Sequence, residues 1–450
     1  MSQENIAIQT ITATAISEMV RSGQYTAEDF AKRFIELAQK VDDQVHAFVY
    51  LDEKAVIQQA RILDEGRAQG GELGSLAGVP IALKDAVDTF DMPSEFGSAS
   101  LAGRQPRWDA KIAKLLRAQG AVIFGKTALP AFCLGTPAKT RNPHNLEHTP
   151  GGSSSGSAAA VAAGMVPVAI GTQTVGSVIR PASYCGIIGF KPTRGLISRD
   201  GLQPLCETID QVGVFGRTIA DVALVAQTLI AADENDLTTQ GVLPRNLVNV
   251  ALSEPPFKPK FVFVKTPFWN KMDPEARDAF DALIEAMGAE TPVVELPTVA
   301  NQAIDNLITV VESEFATAMS DHMKHTGEKV DSRTKDVVAR GREIKAVDYL
   351  KAKRAIEPIA AGFDEFFDRF DAIITPSTLG AAPKGLDNTG DPIMNALWSY
   401  TGMPAISLPL LKSESGMPIG VQLIGQRHDD ARLLRTSNWL LNNFDSITGA

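Results

Sequence analysis

The order of apolar segments predicts an α/β protein whose sheet is covered by helices on both faces. Three observations carry that prediction. The runs GVPIALK (78–84) and AVIFG (121–125) flank a stretch of helical periodicity, the strand–helix–strand order of a layered α/β sheet. Three more apolar runs, AIITP (372–376), PAISLPL (404–410) and PIGVQLIG (418–425), lie near the other end. The stretch up to about residue 65 has helical rather than alternating periodicity.

The elements follow in order. Thr26 with Asp29 reads as a capping box, and Phe30, Phe34 and Leu37 continue at helical spacing. The first strand ends at Lys84. Residues 109–120 suit a helix, with Asp109 as N-cap, Ile112, Leu115 and Leu116 on one face, and Gly120 as terminator. From 150 to 177 the chain reads PGGSSSGSAAAVAAGMVPVAIGTQTVGS. Its glycine pair permits a tight turn, and Ser157 to Ala163 form an alanine-rich helix able to lie close to a neighbour. Pro244, Pro255, Pro256 and Pro259 make 235–260 irregular. Asp273-Pro274 opens a helix, and 301–370 is mostly helical. LKSESGM joins the last two strands as a hairpin. With no repeat and no low-complexity tract, the 450 residues are read as one domain: N-terminal helices 1–65, a core 75–225, an excursion 235–370 and terminal strands 372–450.

Composition excludes several classes. Hydrophobic residues make up 44% and charged residues 21%, enough for a large core. With 43 basic against 53 acidic residues and no dense Lys/Arg stretch, no nucleic-acid partner is expected. Cys133, Cys185 and Cys206 form no CxxC pair, so neither a disulfide framework nor a cysteine-rich metal site is expected. MSQENIAIQT lacks a basic segment before an apolar one, and no apolar run reaches membrane-spanning length. The expectation is a cytoplasmic protein without a membrane partner.

Candidate chemistry has several starting points. GSSSG (152–156) formally matches a nucleophile elbow centred on Ser154, but a polar, proline-containing loop precedes it where a strand is required. Gly125-Lys126-Thr127 lacks the upstream glycine of a phosphate-binding loop. His144 and His148 have helical metal-ligand spacing, which Pro143 and Pro150 make unsuitable for a helix. Lys84, at the C-terminal end of a strand, sits where α/β folds place ligand crevices. Burial would lower its pKa and leave an amine able to act as a base. A lysine and two serines can then do the work of a Ser-His-Asp triad.

Here the residues carry a resemblance. The stretch from PGGSSSGS through GTQTVGSVIRPASYCGIIGFKPT resembles the signature of the amidase signature family of serine hydrolases. GVPIALKD resembles that family's lysine strand, and GMPAISLP with GMPIGVQLIG its C-terminal strand pair. The resemblance implies a large mixed, twisted sheet covered by helices on both faces. It also implies a Ser–cis-Ser–Lys triad with Lys84 as base, Ser153 as bridging serine behind a cis Gly152–Ser153 peptide, and Ser177 as nucleophile. Backbone N–H groups of Thr174, Val175, Gly176 and Ser177 would form the oxyanion hole, with Ser154 and Ser155 as supporting groups. The implied reaction is hydrolysis of a small-molecule amide through an acyl-enzyme, with no metal and no organic cofactor. A homodimer is compatible with this reading.

Two departures stand out. Where the family reads TDTGGSIR, this chain reads TQTVGSVIR, so Val175 replaces a glycine and Arg180 follows the nucleophile by three residues instead of two. Those features, with NPHN (142–145), HTPGGSSSGSAAA and TGDPIMNALW (389–398), resemble a malonamidase-like branch. In that branch the equivalent arginine holds the substrate's carboxylate. Arg180 is therefore read either as an anchor for a malonamate-like substrate or as a structural residue held by protein groups. The alternatives are the glutaminase subunit of a tRNA-dependent amidotransferase and a carbamate or aryl-amide hydrolase.

Overall fold

The computed structural model describes residues 7–297 and 300–449. Its centre is one eleven-stranded sheet. In chain order the strands are β1 (Phe48–Tyr50), β2 (Pro80–Lys84), β3 (Val122–Thr127), β4 (Val168–Gln173), β5 (Ile188–Lys191), β6 (Gln211–Gly216), β7 (Phe261–Lys265), β8 (Val293–Glu295), β9 (Ala372–Pro376), β10 (Ala405–Lys412) and β11 (Pro418–Ile424). In space they run β1-β3-β2-β4-β6-β5-β10-β11-β9-β7-β8.

The sheet is mixed. β2 pairs parallel with both β3 and β4, and β7 parallel with β8 and β9. Between these parallel groups the pairings are antiparallel, including the expected β10–β11 hairpin. Side chains alternate between two cores, as a two-sided sheet requires. Phe261 and Phe263 of β7 enter one core and Val262 and Val264 the other; on β9, Ile374 and Ile373 divide in the same way. The first core takes Leu433, Leu434 and Leu440 from the helix Asp430–Thr448. The second takes Leu307, Val310 and Phe315 from the helix Ala300–Ala318, with Trp398 and Tyr400 from the helix Ile393–Tyr400. Helices thus cover both faces, as the sequence predicts.

Most expected elements are present. Helices Ala13–Ser22, Ala27–Val45 and Glu53–Ala68 fill the N-terminal region, and Pro274 occupies the first turn of Pro274–Met287. The capping box forms: the Thr26 hydroxyl accepts from Asp29 N at 3.0 Å, and the Asp29 carboxylate accepts from Thr26 N at 3.1 Å. One detail is corrected. Asp109 is not an N-cap; the helix begins at Lys111 after Ala110, without a side-chain cap. The Asp109 carboxylate instead accepts from Phe90 N and pairs with Arg117. Gly120, at φ +80°, ends that segment as expected. The three-residue edge strand β1 is too short to show alternation in the sequence.

The parallel trio β3-β2-β4 matters most for function. Its three C-terminal ends, Thr127, Lys84 and Gln173, share one edge of the sheet. That edge is where ligand crevices of α/β sheets lie.

Replacing the Thr26 hydroxyl tests the N-terminal layer. Thr26→Ala removes one partner of the capping box and should lower stability by about 1 kcal/mol. A urea titration followed by circular dichroism would show the midpoint shift; an unchanged midpoint would remove the cap's assigned role.

Candidate active site

Lys84 ends β2 and is fully buried. Its amine nitrogen lies 2.8 Å from Ser153 Oγ and 2.8 Å from Thr172 Oγ1. Burial pulls its pKa below the ordinary lysine value, against the opposing influence of Cys133 and Asp210. Thr172 reaches Lys84 because β4 runs parallel beside β2.

Ser153 is held from behind. The Gly152–Ser153 peptide is cis, and the helix Ser155–Ala162 starts immediately after. That helix lies very close to the sheet. A Cβ on Gly156 would come 2.2 Å from Ala47 O and 2.4 Å from Ala128 N, so glycine is required there. The neighbouring serines fasten the helix to β4. Ser154 Oγ donates to Thr172 O and accepts from Thr172 N, both at 3.2 Å. Ser155 Oγ donates to Gly151 O at 2.7 Å, and Ser157 Oγ to Ile170 O at 2.8 Å. Ser154 is thus fully buried against a strand and is no exposed nucleophile.

Beyond β4 the chain turns through Thr174–Ser177 into the short helix Ile179–Tyr184. Ser177 is partly exposed. Among the described residues no hydrogen bond joins it to Ser153, and no protein acceptor takes the backbone N–H groups of Val175, Gly176 or Ser177. Contacts of this kind often tighten only once substrate is bound. Gln173 organises the turn. Its side-chain oxygen accepts from Val178 N at 2.7 Å and Ile179 N at 3.0 Å, and its amide donates to Ser399 Oγ at 2.9 Å. Ser399 Oγ donates to Val175 O at 2.7 Å. Gly176 packs against the same helix; a Cβ there would lie 2.5 Å from Asn395 Oδ1 and 2.9 Å from Pro392 Cβ.

Arg180 is buried and faces backbone carbonyls. Its Nε and Nη2 donate to Gly152 O at 3.2 and 2.6 Å, and its Nη1 donates to Gly390 O. Burial lowers its pKa to about 10. The arginine therefore joins the carbonyl of the cis peptide to the 389–391 segment, which corresponds to the structural alternative.

A cavity of about 550 Å³ adjoins this site and is lined at one end by Cys133, Thr172 and Thr174, a size suited to a small molecule. The loop 204–210 forms part of its wall, with residues 199–203 and 235–238. Asp210, partly buried with its pKa raised by desolvation, accepts from Leu205 N and Cys206 N, each at 2.8 Å, and from Thr174 Oγ1 at 2.5 Å. From the other side Glu314, on Ala300–Ala318, accepts from Thr208 N at 2.8 Å, Thr208 Oγ1 at 2.5 Å and Tyr349 OH at 2.6 Å.

The other sequence candidates lie elsewhere. His144 and His148 contact the carbonyls of Cys185 and Ala382. Lys126 is buried and donates to Val87 O and Ser94 Oγ.

A family model described as "Amidase" matches residues 29–434. The chain belongs to the amidase family. It is 34% identical over 458 residues to a glutamyl-tRNA(Gln) amidotransferase subunit of Clostridium botulinum (strain Eklund 17B / Type B), covering 92% of this chain and 93% of that one. The corresponding amidotransferase subunit of Lachnospira eligens is 32% identical over 467 residues, covering 94% and 96%. Among solved structures, one reported as a vestigial protein complex revealing the origins of an s-triazine catabolic enzyme matches with TM-score 0.88 and 28% identity, covering 96% of this chain and 98% of that one. A crystal structure of an amidase matches with TM-score 0.84 and 25% identity, covering 96% and 100%. This amidase-family chain is a hydrolase acting on C–N bonds, built on a large mixed sheet flanked by helices.

Against this background, the structure brings Lys84 and Ser153 together at one edge of the sheet and puts the Ser177 turn at the end of the adjacent strand. Sequence reasoning missed Thr172, Asp210 and Ser399. Thr172 had a signal, since the parallel β2–β4 pairing places a residue near the end of β4 beside Lys84. Asp210 and Ser399 act from segments 36 and 224 residues away from the groups they hold, with no local pattern to reveal them.

Gly176→Ala places a methyl against Asn395 and Pro392. It should cost about 1–3 kcal/mol through overpacking and displace the turn. The expected outcome is a lowered melting temperature with activity reduced at least tenfold; wild-type values for both would contradict the packing described.

Proposed function

We propose that this amidase hydrolyses a small-molecule amide through an acyl-enzyme on Ser177, with Ser153 and Lys84 as the proton relay. The observation that carries the reading is the buried amine of Lys84 held 2.8 Å from Ser153 Oγ, one strand away from a turn of unpaired backbone N–H groups. Neutral Lys84 accepts a proton from Ser153, and Ser153 accepts one from Ser177 as Ser177 Oγ attacks the carbonyl carbon. The tetrahedral oxyanion is met by N–H groups of the Thr174–Ser177 turn, each worth about 3 kcal/mol in comparable hydrolases. The relay returns the proton to the departing nitrogen as the C–N bond breaks. Water then attacks the ester, giving the carboxylic acid and free Ser177.

Ser154 and Ser155 support the relay by holding β4 and the Gly151 carbonyl. Arg180 holds the Gly152 carbonyl, hence the peptide that presents Ser153. Its donors are directed at carbonyls rather than into the cavity, which favours a structural role over a carboxylate anchor. The malonamidase-like assignment rests on sequence strings alone, because the curated relatives named above belong to amidotransferases. Those relatives support a second reading, a glutaminase component working with partner chains. The two readings separate on one measurement: the isolated chain hydrolyses simple amides under the first, and glutamine only with partners under the second.

Two outcomes are expected. Ser177→Ala should fold normally and lose turnover by at least a thousandfold on any amide the wild type cleaves; retained activity would remove Ser177 as nucleophile. The pH profile follows from Lys84. Its lowered pKa means that the neutral base is populated below the ordinary lysine range, so kcat/KM should rise with pH on a limb whose midpoint lies below the ordinary lysine value. A limb that still rises beyond the ordinary lysine pKa of about 10.4 would place the base elsewhere.

A further inference from the structure

We propose that Ser399 is a positioning residue for the oxyanion hole, acting with Gln173 through the Val175–Gly176 peptide. The proposal rests on the reading of Ser177 as nucleophile. A trans peptide is planar, with C=O and N–H pointing in opposite directions, and the Val175–Gly176 bond is not cis. The Ser399 hydroxyl holds Val175 O at 2.7 Å from the helix Ile393–Tyr400. That contact fixes the peptide plane and turns Gly176 N–H away from the helix. Among the described residues no protein acceptor takes that N–H. It is therefore free to meet an oxyanion formed at the neighbouring Ser177.

Gln173 makes the arrangement directional. Ser399 has one hydroxyl proton, and Val175 O receives it. The Ser399 oxygen must then be approached by a donor, which the Gln173 amide supplies at 2.9 Å. The other end of the same amide accepts from Val178 N and Ile179 N. One side chain thus holds the segment after the nucleophile and orients the serine that holds the segment before it. A carboxylate at 173 can do only the first. Gln173→Glu would compete with Val175 O for the Ser399 proton and release the peptide plane. Gln173 and Ser399 have 1% and 0% exposure, so water is a poor substitute for either.

The test uses the full chain and a fluorophosphonate probe, whose phosphoryl oxygen enters the oxyanion hole when Ser177 is labelled. Wild type, Ser399→Ala, Ser399→Thr, Gln173→Glu and Ser177→Ala are compared for second-order labelling rate. On any amide the wild type cleaves, kcat and KM are also compared. Loss of one oriented donor should slow labelling and kcat by about ten- to a hundredfold in Ser399→Ala and Gln173→Glu, with KM changed less than threefold. Ser399→Thr, which keeps the hydroxyl, should recover most of the rate. Wild-type labelling by a folded Ser399→Ala protein overturns the proposal, as does a loss confined to KM. Should Ser399→Ala not fold, the isosteric Gln173→Glu variant is read in the same way. Labelling that persists in Ser177→Ala marks a different failure, that of the nucleophile assignment.

Discussion

A primary amine with no access to water sits at the C-terminal end of β2, and much of the surrounding structure follows from that placement. An ammonium in such a position is expensive unless hydrogen-bond partners are close or the proton is given up. The fold supplies two hydroxyls and little countercharge. Thr172 comes from the parallel neighbour strand, and Ser153 from the turn before an alanine-rich helix. That balance keeps Lys84 paired while favouring its neutral form. A nearby carboxylate in direct contact would hold the proton on the amine. Asp210, the acid that exerts an opposing influence, spends its oxygens on Thr174 and on two backbone N–H groups instead.

The proposed catalytic edge is assembled from separate parts of the chain. β2 and β4 bring the amine and the turn of the proposed nucleophile into register. The 150s bring Ser153, pressed close because Gly156 and the alanines leave no bulk between helix and sheet. The helix Ile393–Tyr400 then closes the turn from its far side, through Ser399 and Asn395. Arg180 joins the second and last of these contributions by grasping Gly152 O and Gly390 O. An arginine bound to carbonyls gives up much of its hydration, and its lowered pKa records that cost.

How much of this is legible in the sequence depends on range. β2 and β3 with the helix between them, the hairpin β10–β11 and the Thr26 cap each depend on neighbours within a few turns, so periodicity and capping chemistry reveal them. Asp109 misleads because a good capping residue beside a helix start is ambiguous by one or two positions, and here Arg117 and Phe90 N compete for it. The proposed triad positions are legible only through resemblance to a known family. From the residues alone Lys84 is one strand-end lysine and GSSSG points to Ser154. The choice between two roles for Arg180 depends on where its guanidinium points, a tertiary fact. Asp210 and Ser399 are silent for the same reason: a serine in an apolar helix reads as core until the carbonyl it meets is known.

The two-sided hold on the loop 204–210 has a consequence for how this enzyme can change. Asp210 ties the loop to Thr174 at the start of the turn after β4, while Glu314 ties it to the helical excursion. The turn after β4 and the helical excursion thus meet at one short span of loop, which also lines the cavity. A change in the helical excursion therefore reaches the cavity through that loop and through Lys353, at a remove from Lys84, Ser153 and Ser177. What such a change must keep is an acceptor for Thr208 in the place of the Glu314 carboxylate.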